Sequence, residues 1–306
     1  MKVAVVGASG FIGTEVTRQL ESLGHTVVQV RAPRLGPIST ASIETSAAAV
    51  TPTPHQVNEV QGCEVLINAA GNPDASERSE SSLNGPNALL VALLAKLCVS
   101  AEVPRFIHIS SAVVQGDSSI LDSSRNVVGF SPYARSKILG EEMALNYGPS
   151  QSIVYRPPSV HHESRRVTQQ LHKIANSRLS TVASPGDYPT PQTLLLSVGE
   201  AIAILTTSVV TPPQIVHHPW EGLTTGQLLK VFGLGRTPTV VPKCIAVSGI
   251  RLGKLASRIL PPLSAYVRRV ELVWMGQGQS KSWLPTPTTS IADWEDLANR
   301  VKSLVS

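Results

Sequence analysis

Tyr133 and Lys137 lie four residues apart in the segment 131–137. Ser131 can cap a helix there and Pro132 suits its first turn, so both side chains share one helix face. An ammonium group one turn from a phenol favours the phenolate, which predicts a tyrosine that exchanges a proton near neutral pH. The same spacing is common on helix surfaces by chance, so the neighbouring segments must decide between chemistry and a solvated face.

Two hydroxyls, Ser110 and Ser111, end the apolar run 105–111, which is typical of a buried strand. Ligands of open α/β sheets bind beyond the carboxyl ends of the strands, and a hydroxyl there can hydrogen-bond a substrate oxygen. The sequence therefore predicts that Ser111, Tyr133 and Lys137 converge at one edge of a sheet.

A glycine-rich turn opens the chain, where Gly7, Gly10 and Gly13 follow the apolar run 3–6 and precede helical spacing over 14–23. Gly7 suits a tight turn, Gly10 a close approach of backbone to pyrophosphate, and Gly13 packing of helix against strand. Phosphates bind the N–H groups at the start of such a helix. The context predicts a nicotinamide dinucleotide as the source of hydride, the alternative being a purely structural turn.

The residues that follow the second predicted strand, 26–30, indicate whether a dinucleotide site binds NAD or NADP. Arg31 and Arg34 lie there. A carboxylate at this place would bind the adenine-side ribose and repel a 2′-phosphate. A guanidinium instead binds a phosphate through paired hydrogen bonds. The sequence therefore favours NADP, with NAD possible, unless both arginines are solvated loop residues.

Strand and helix signals alternate through the first half of the chain, with further strands predicted at 64–68 and 153–156 and an apolar helix at 86–99. This alternation predicts the α/β class, as a doubly wound parallel sheet (Rossmann fold) over residues 1–158. Residues 159–306 are richer in proline, serine and threonine, and we expect them to form mainly a smaller α-rich lobe for substrate.

Within the second lobe, helical spacing predicts helices over 194–207 and 243–260. A short strand near 214–217 is expected to return to the main sheet.

Composition argues against several functional classes. The net charge of +5 over 306 residues is modest and scattered, so no nucleic-acid partner is expected. Cys63, Cys98 and Cys244 are odd in number and far apart, which is typical of reduced thiols in a cytoplasmic protein. We identify no apolar run that approaches the length needed to cross a bilayer, and no stable membrane insertion is expected.

Five motifs together carry a family resemblance. They are Gly7-x-x-Gly10-x-x-Gly13, Asn68-Ala69-Ala70-Gly71, the run Phe106 to Gly116, Tyr133-x-x-x-Lys137, and Arg156-Pro157-Pro158-Ser159-Val160. Through them the chain resembles an extended short-chain dehydrogenase/reductase, of the NAD-dependent epimerase/dehydratase family, over nearly its whole length.

The resemblance implies that Ser111 orients the substrate oxygen, that Tyr133 is the acid/base, and that Lys137 binds the nicotinamide ribose while lowering the pKa of Tyr133. The residues implied to contact the cofactor are Gly7, Ser9, Gly10, Phe11, Ile12, Gly13, Arg31, Arg34, Ala69, Ala70, Gly71, Ile109, Ser110, Tyr133, Lys137, Pro157 and Pro158. The substrate candidates are Ser111, Ser159, Arg165 and Arg166, of which the two arginines could reach a phosphate or could equally form a mobile charge pair on a loop. No metal is expected.

Members of the family commonly act on nucleotide-linked sugars, and three departures narrow the choice of activity. Ala112-Val113 stands where 4,6-dehydratases carry Asp-Glu, which argues against a dehydratase. Pro158-Ser159 replaces the Phe-Asn of many sugar epimerases, and Gln115 replaces the usual tyrosine. We expect a nucleotide-sugar 4-ketoreductase that uses NADP. A 4-epimerase with retained NAD is the alternative, and a non-catalytic NADP-binding regulator is an outside one.

Other features have both a functional and a structural interpretation. Arg251, Lys254 and Arg258 share a helix face that could hold a substrate diphosphate, rest on an anionic membrane surface or simply be solvated. The pairs His161-His162 and His217-His218 lack a carboxylate or cysteine at ligand spacing, so we expect them to line loops.

Two apolar features concern packing. Trp274, Trp283 and Trp294 could stack on a ligand but more often anchor a small lobe. The helix over 88–99 could support a homodimer, although its apolar character is equally expected of a buried crossover helix.

Overall fold

The computed structural model describes residues 1–116, 118–260 and 263–305. The strands are β1 (Lys2–Val6), β2 (Thr26–Val30), β3 (Val65–Asn68), β4 (Arg105–Ile109), β5 (Ile120–Leu121), β6 (Gln151–Arg156), β7 (Ser159–His161), β8 (Thr181–Ala183), β9 (Gln192–Leu194), β10 (Ile215–His217), β11 (Thr239–Val241) and β12 (Gly278–Gln279).

The α-helices are α1 (Phe11–Ser22), α2 (Ile43–Ala49), α3 (Pro54–Val60), α4 (Glu80–Asn84), α5 (Leu90–Ser100), α6 (Pro132–Tyr147), α7 (Arg166–Ala175), α8 (Leu195–Thr207), α9 (Thr225–Phe232), α10 (Lys243–Ile259), α11 (Leu263–Met275) and α12 (Ile291–Val305). A π-helical segment, Gly85–Leu89, joins α4 to α5, and short 3-10 helices lie at Thr40–Ser42 and Ala112–Gln115.

A six-stranded parallel sheet forms the centre of the molecule, in the order β10-β6-β4-β3-β1-β2. From β1 the chain first adds β2 on one side of β1 and then adds β3, β4, β6 and β10 on the other side. The direction in which strands are added therefore reverses at β1. In doubly wound sheets this reversal leaves a crevice at the carboxyl ends, where ligands bind. The predicted Rossmann architecture is confirmed.

Helices cover both faces of the sheet. Residues of α2, α3, α5 and α6 pack on one face, and residues of α1 and α8 pack on the other. Because parallel strands are buried on both sides, they read as nearly continuous apolar runs, which is why the sequence located them.

The chain after residue 158 contributes to both parts of the molecule. β10 pairs with β6 at the edge of the main sheet, and α8 packs beside α1. The small lobe has its own apolar core from α7, α9 and α12, in which Trp294 is buried against Phe232. Trp283 instead packs against the core of the main sheet, so these two tryptophans serve packing.

One helical stretch, Glu80–Ser100, is 21 residues long and predominantly apolar. By length and composition it could cross a membrane, so our expectation that no apolar run approaches that length is wrong. In the structure 72% of its most apolar 18-residue segment is buried, and α5 packs against α3 and α6. The stretch has the environment of a core crossover helix.

Candidate active site

A large cleft of about 990 Å³ lies at the carboxyl ends of the central strands. The predicted site residues that line it are Gly7, Ser9, Gly10, Phe11, Ile12, Arg34, Ala69, Ala70, Gly71, Ser110, Ser111, Tyr133, Pro157, Pro158, Ser159 and Arg165. The predicted residues that do not line it are Gly13, Arg31, Ile109, Lys137 and Arg166. The structure therefore brings most of the sequence-predicted site to one place.

The glycine turn has the shape that the sequence predicts. Gly7 has a φ of +80°, and a Cβ there would lie 2.9 Å from the backbone nitrogen of Ala70. A Cβ on Gly13 would overlap the carbonyl oxygen of Gly7, so its hydrogen lets α1 pack against the turn. Gly10 is the N-cap of α1. The free N–H groups of the first turn of α1 thus open into the cleft, as a phosphate site requires.

The wall beyond β2 is formed by residues 32–35, which include Arg34. Arg31 is exposed and does not line the cleft. Of the two predicted phosphate ligands, the structure therefore brings only Arg34 to the cleft wall, and the binding of phosphate by either arginine stays a prediction.

Tyr133 reaches the cleft from the first turn of α6. Ser131 caps this helix by accepting a hydrogen bond from the backbone N–H of Ala134 at 3.1 Å, and Pro132 occupies the first helical position. Ser111 caps the 3-10 helix after β4, accepting from the N–H of Val113 at 3.3 Å. The hydroxyl hydrogen of Ser111 is then free to be donated to a ligand oxygen.

Lys137 lies one turn further along α6, beneath the cleft wall. Its side chain is buried, and Nζ donates a hydrogen bond to the carbonyl oxygen of Ile109 at 2.9 Å. Burial lowers the pKa of Lys137 to about 8, although the carboxylate of Glu141 opposes the shift. Its position below Tyr133 is the predicted one, but its ammonium is directed to the strand end rather than into the cleft.

The acidity of Tyr133 differs from our expectation. Burial raises the pKa of Tyr133 to about 12, and the one charge that lowers it is Arg165. The expected phenol that titrates near neutral pH through Lys137 is therefore wrong for the protein alone. The reason is that Lys137 is itself desolvated and bonded to Ile109. Tyr133 is protonated at neutral pH.

A buried network that the sequence analysis missed supports the strand end. Ser110 donates to Glu141 Oε1 at 2.5 Å, and Arg156 donates to both oxygens of Glu141 at 2.9 and 2.6 Å. The Arg156 side chain is 1% exposed. A signal existed in the sequence, since Glu141 follows Lys137 by four residues and continues the same helix face.

The sequence also matches a model of a known protein family. The model described as NAD dependent epimerase/dehydratase family matches residues 3–198, more than half of the chain. The chain belongs to that family. It is accordingly an NAD(P)-dependent enzyme of the extended short-chain dehydrogenase/reductase type. No protein among the curated sequences matches the chain.

Solved structures share this fold at low identity. The UDP-glucuronic acid 4-epimerase of Bacillus cereus with NAD is 16% identical, with a TM-score of 0.63 and 100% of each chain covered. The dTDP-4-dehydrorhamnose reductase of Bacillus anthracis str. Ames with NADP is 14% identical, with a TM-score of 0.63 and coverage of 100% of this chain and 99% of that one. The UDP-glucose 4-epimerase of Thermus thermophilus with NAD is 19% identical, with a TM-score of 0.55 and coverage of 79% of this chain and 86% of that one.

The far wall of the cleft in this family member comes from residues that our sequence analysis did not select. They are Gln192 at the start of β9, Arg268, Arg269 and Leu272 on α11, and Gln277 before β12. The Arg268 guanidinium donates to Glu271 at 2.9 Å and to the carbonyl oxygen of Gly116 at 3.1 Å. The available signal was the pair Arg268-Arg269, which resembles the selected pair Arg165-Arg166.

Arg165 and Arg166, the two arginines that the sequence analysis selected as substrate candidates, have different positions in the structure. Arg165, the N-cap of α7, lines the cleft with its guanidinium carbon 4.8 Å from the centroid of the Phe11 ring. Arg166 begins α7, is exposed and does not line the cleft, so the structure does not bring it together with the other substrate candidates. The helix start turns consecutive side chains in different directions.

The charge of the cleft wall is one-sided. Among the described residues, Arg34, Arg165, Arg268 and Arg269 line the cleft, and no aspartate or glutamate does. Arg268 is paired with Glu271 behind the wall, whereas no acidic side chain is present among the described lining residues themselves. Such a wall favours an anionic ligand, because guanidinium groups in a concave site attract negative charge.

The histidine pairs lie at strand ends: His161 and His217 belong to strands, contrary to our expectation, whereas His162 and His218 begin the loops that follow. His161 ends β7, His217 ends β10, and both are buried together with His218. His218 Nδ1 lies 2.6 Å from the hydroxyl of Tyr155, and its Nε2 lies 3.0 Å from Glu221. These rings are satisfied interior groups. Within residues 1–116, 118–260 and 263–305, no group of three or more metal-ligating side chains is assembled.

Proposed function

We propose that the protein is an NADPH-dependent reductase of a nucleotide-linked 4-keto sugar. The observation that carries the proposal is the cleft wall of four arginines without a carboxylate among the described lining residues. NADPH has a 2′-phosphate and a diphosphate, and a nucleotide-linked sugar brings a second diphosphate. Both ligands match a cationic cleft.

The residues present fit the cofactor. The first turn of α1 offers its N–H groups, and the lack of a Cβ at Gly7 leaves the backbone open to close approach. Arg34 lines the cleft, and its guanidinium would bind the 2′-phosphate. A bound reduced nicotinamide supplies the hydride that the protein itself cannot.

Tyr133 and Ser111 serve the carbonyl oxygen. Because Tyr133 is protonated at neutral pH, it can give a proton to the oxygen that gains charge when its carbon is reduced. Ser111 donates a hydrogen bond to the same oxygen and orients it. The phenolate left on Tyr133 is stabilised by the positive charge of Arg165. A proton donor ready at neutral pH suits reduction.

The other activities of the family receive less support. Ala112 and Val113 line the cleft at the positions where a dehydratase would need an acid and a base. A 4-epimerase that retains NAD stays as the alternative, and the test below separates it from the reductase.

The test supplies purified protein with NADPH and a panel of nucleoside-diphosphate 4-keto sugars, and follows NADPH consumption by absorbance. We expect turnover with at least one substrate, reduced by about 10²- to 10⁴-fold in Tyr133→Phe because the proton donor is lost. Tyr147→Phe, at the end of the same helix, is the matched control and should keep full activity. Interconversion of 4-hydroxy sugars by protein that is purified with bound NAD, without net consumption, would establish the epimerase instead. NADPH binding without either reaction would indicate the regulator.

A further inference from the structure

α10 and α11 form an antiparallel hairpin on the small lobe. A Cβ on Gly253 would lie 2.9 Å from Val267, and one on Gly249 would lie 3.6 Å from Trp274. Lys254 and Glu271 form an ion pair of 2.8 Å between the helices. The axes of α10 and α11 therefore run in opposite directions, and one face of each helix packs against the other helix.

The outer surface of α10 carries an apolar stripe. Ile245, Leu252, Leu255 and Ile259 are 59%, 68%, 56% and 82% exposed. Their spacing of seven, three and four residues puts them on one side of a helix with 3.6 residues per turn. The inward positions of the same helix, Ala246 and Ile250, are buried. The stripe is thus a second apolar face, in addition to the one that packs inside the hairpin.

α11 has a matching stripe of Leu263, Tyr266 and Val270, exposed and spaced by three and four residues. With 100° of rotation per residue and antiparallel axes, both stripes lie on the same side of the hairpin. This geometry turns them away from Arg268, which contacts Gly116 beside the cleft. We name the combined surface of Ile245, Leu252, Leu255, Ile259, Leu263, Tyr266 and Val270 the hairpin face.

The basic residues form no continuous run in the sequence, but a large share of the net positive charge lies in this hairpin. Residues 243–276 contain six basic residues and one acidic residue, a net charge of 6 − 1 = +5, which equals the net charge of the whole chain. Lys254 is paired with Glu271, whereas Arg251 and Arg258 are exposed on α10 beside its apolar stripe. Large exposed apolar patches with a polar rim mark contact surfaces.

We propose that the hairpin face docks on the surface of an anionic lipid bilayer. Apolar side chains inserted at the headgroup boundary, with arginines beside lipid phosphates, satisfy both parts of the surface. The helices of 17 and 13 residues are amphipathic, so they lie on the membrane rather than cross it. A second copy is a poorer occupant, because two hairpins of +5 would repel each other when brought face to face. Arg268 faces another side of α11, toward Gly116 and the cleft, whereas Arg269 lies at the border, with its guanidinium carbon 5.8 Å from the centroid of the Tyr266 ring. Docking of the hairpin face therefore leaves the Arg268 side of the cleft uncovered.

The test uses the full chain in sedimentation with phosphatidylcholine vesicles that contain or lack phosphatidylglycerol, and it needs no substrate. We expect binding to the anionic vesicles that weakens with salt. Leu252→Ser, Leu255→Ser and Ile259→Ser combined should lower the partition coefficient at least about tenfold. Arg251→Gln with Arg258→Gln should lower it roughly twentyfold on anionic vesicles. A combined Leu179→Ser, Val209→Ser and Val210→Ser variant removes equally exposed apolar groups elsewhere and should bind normally.

Circular dichroism establishes that each variant is folded. Equal binding to both vesicle types, equal loss in the control variant, or no sedimentation by the folded wild type would overturn the proposal. A dimer in analytical ultracentrifugation that dissociates in the triple variant would assign the hairpin face to a second copy. Because vesicle binding and oligomeric state are measured without turnover, the membrane-docking proposal and the reductase proposal can fail independently of each other.

Discussion

The ammonium group of Lys137 donates to the carbonyl oxygen of Ile109 over 2.9 Å, and this bond ties helix α6 to the end of strand β4. It holds the lysine in the interior, where its pKa falls to about 8. Tyr133, one turn earlier on the same helix, lines the cleft together with Ser111, which follows the same strand. The lysine acts on the architecture of the site through a backbone oxygen.

Burial of this charge predicts a pH-dependent stability. The pKa of Lys137 falls from 10.5 to about 8 on folding, so its desolvation cost is fully present below pH 8 and vanishes above pH 10.5. Lys137→Met removes the cost, offset by the lost hydrogen bond. We expect its free energy of unfolding at pH 7 to exceed that of the wild type by about 2 kcal/mol.

The measurement is urea unfolding of both proteins between pH 7 and pH 10.5. The advantage of the variant should shrink through this window, because the native wild type loses the proton first. A constant or growing advantage would contradict the assignment.

Cofactor preference depends on Arg34. Arg34→Asp replaces a phosphate-binding group in the cleft with a repelling one, and it should weaken NADPH binding by about 10- to 100-fold. NADH binding should change by less than about threefold, since NADH has no 2′-phosphate. Arg31→Asp is the matched control at an exposed position outside the cleft, and fluorescence titration measures all three proteins. Equal loss in both variants would show that net charge, rather than one contact, selects the cofactor.

The glycine turn tolerates no side chain at position 13. A methyl group on Gly13 would overlap the carbonyl oxygen of Gly7, so Gly13→Ala should cost about 3 kcal/mol or more and displace the turn from the cofactor. Gly36→Ala adds its methyl group to open space, and its effect should stay below about 1 kcal/mol. Thermal unfolding compares the two. Similar effects from both substitutions would disprove the close contact.

The ion pair of Glu141 with Arg156 is buried, and its loss should be severe. Glu141→Gln leaves the Arg156 guanidinium in the interior without a counter-charge, which should lower the free energy of unfolding by about 3–5 kcal/mol. Glu15→Gln removes the partner of Arg18, whose side chain is 56% exposed, and should cost less than about 1 kcal/mol. Denaturant titrations measure both, and a small effect at Glu141 would show that water reaches the Arg156 side chain.

Most of the sheet could be predicted because β1, β3, β4 and β6 are buried on both faces and therefore read as apolar runs, whereas the edge strand β2 is partly exposed and is marked by its valines. β1 and β2 match the apolar runs, and the edge strand β10 lies within one residue of its predicted place. Helix α1 begins at Phe11, earlier than the predicted residue 14, because the glycine turn itself forms the first helical turn. The spacing of apolar residues alone does not reveal the residues that form the start of a helix.

The stretch between β2 and β3 shows the limit of pattern reading. It contains α2 and α3, which proline, serine and threonine concealed although Thr53 and Gln56 form a capping box. The predicted helix over 86–99 extends back to Glu80, since Pro86 is accommodated in a π-helical segment. Strands of two or three residues in the small lobe are too short to show a period.

The residues of the candidate site also fall into those that the sequence could predict and those that it could not. Ser111 and Tyr133 could be found because each stands at a strand or helix end with its own local signals. Arg268 could not, because its place in the cleft depends on a hydrogen bond to Gly116, 152 residues earlier in the chain. The pKa of Tyr133 was mispredicted for a related reason, since the sequence shows the neighbouring lysine but not the burial of both groups.

The most direct test of the account is a crystal structure of the protein soaked with NADP. The account predicts electron density for the diphosphate within about 3 Å of the first N–H groups of α1, and for the 2′-phosphate at Arg34. The nicotinamide ring should lie beside Ser111 and Tyr133. An empty cleft at saturating NADP, or a nicotinamide bound away from those two hydroxyls, would contradict it.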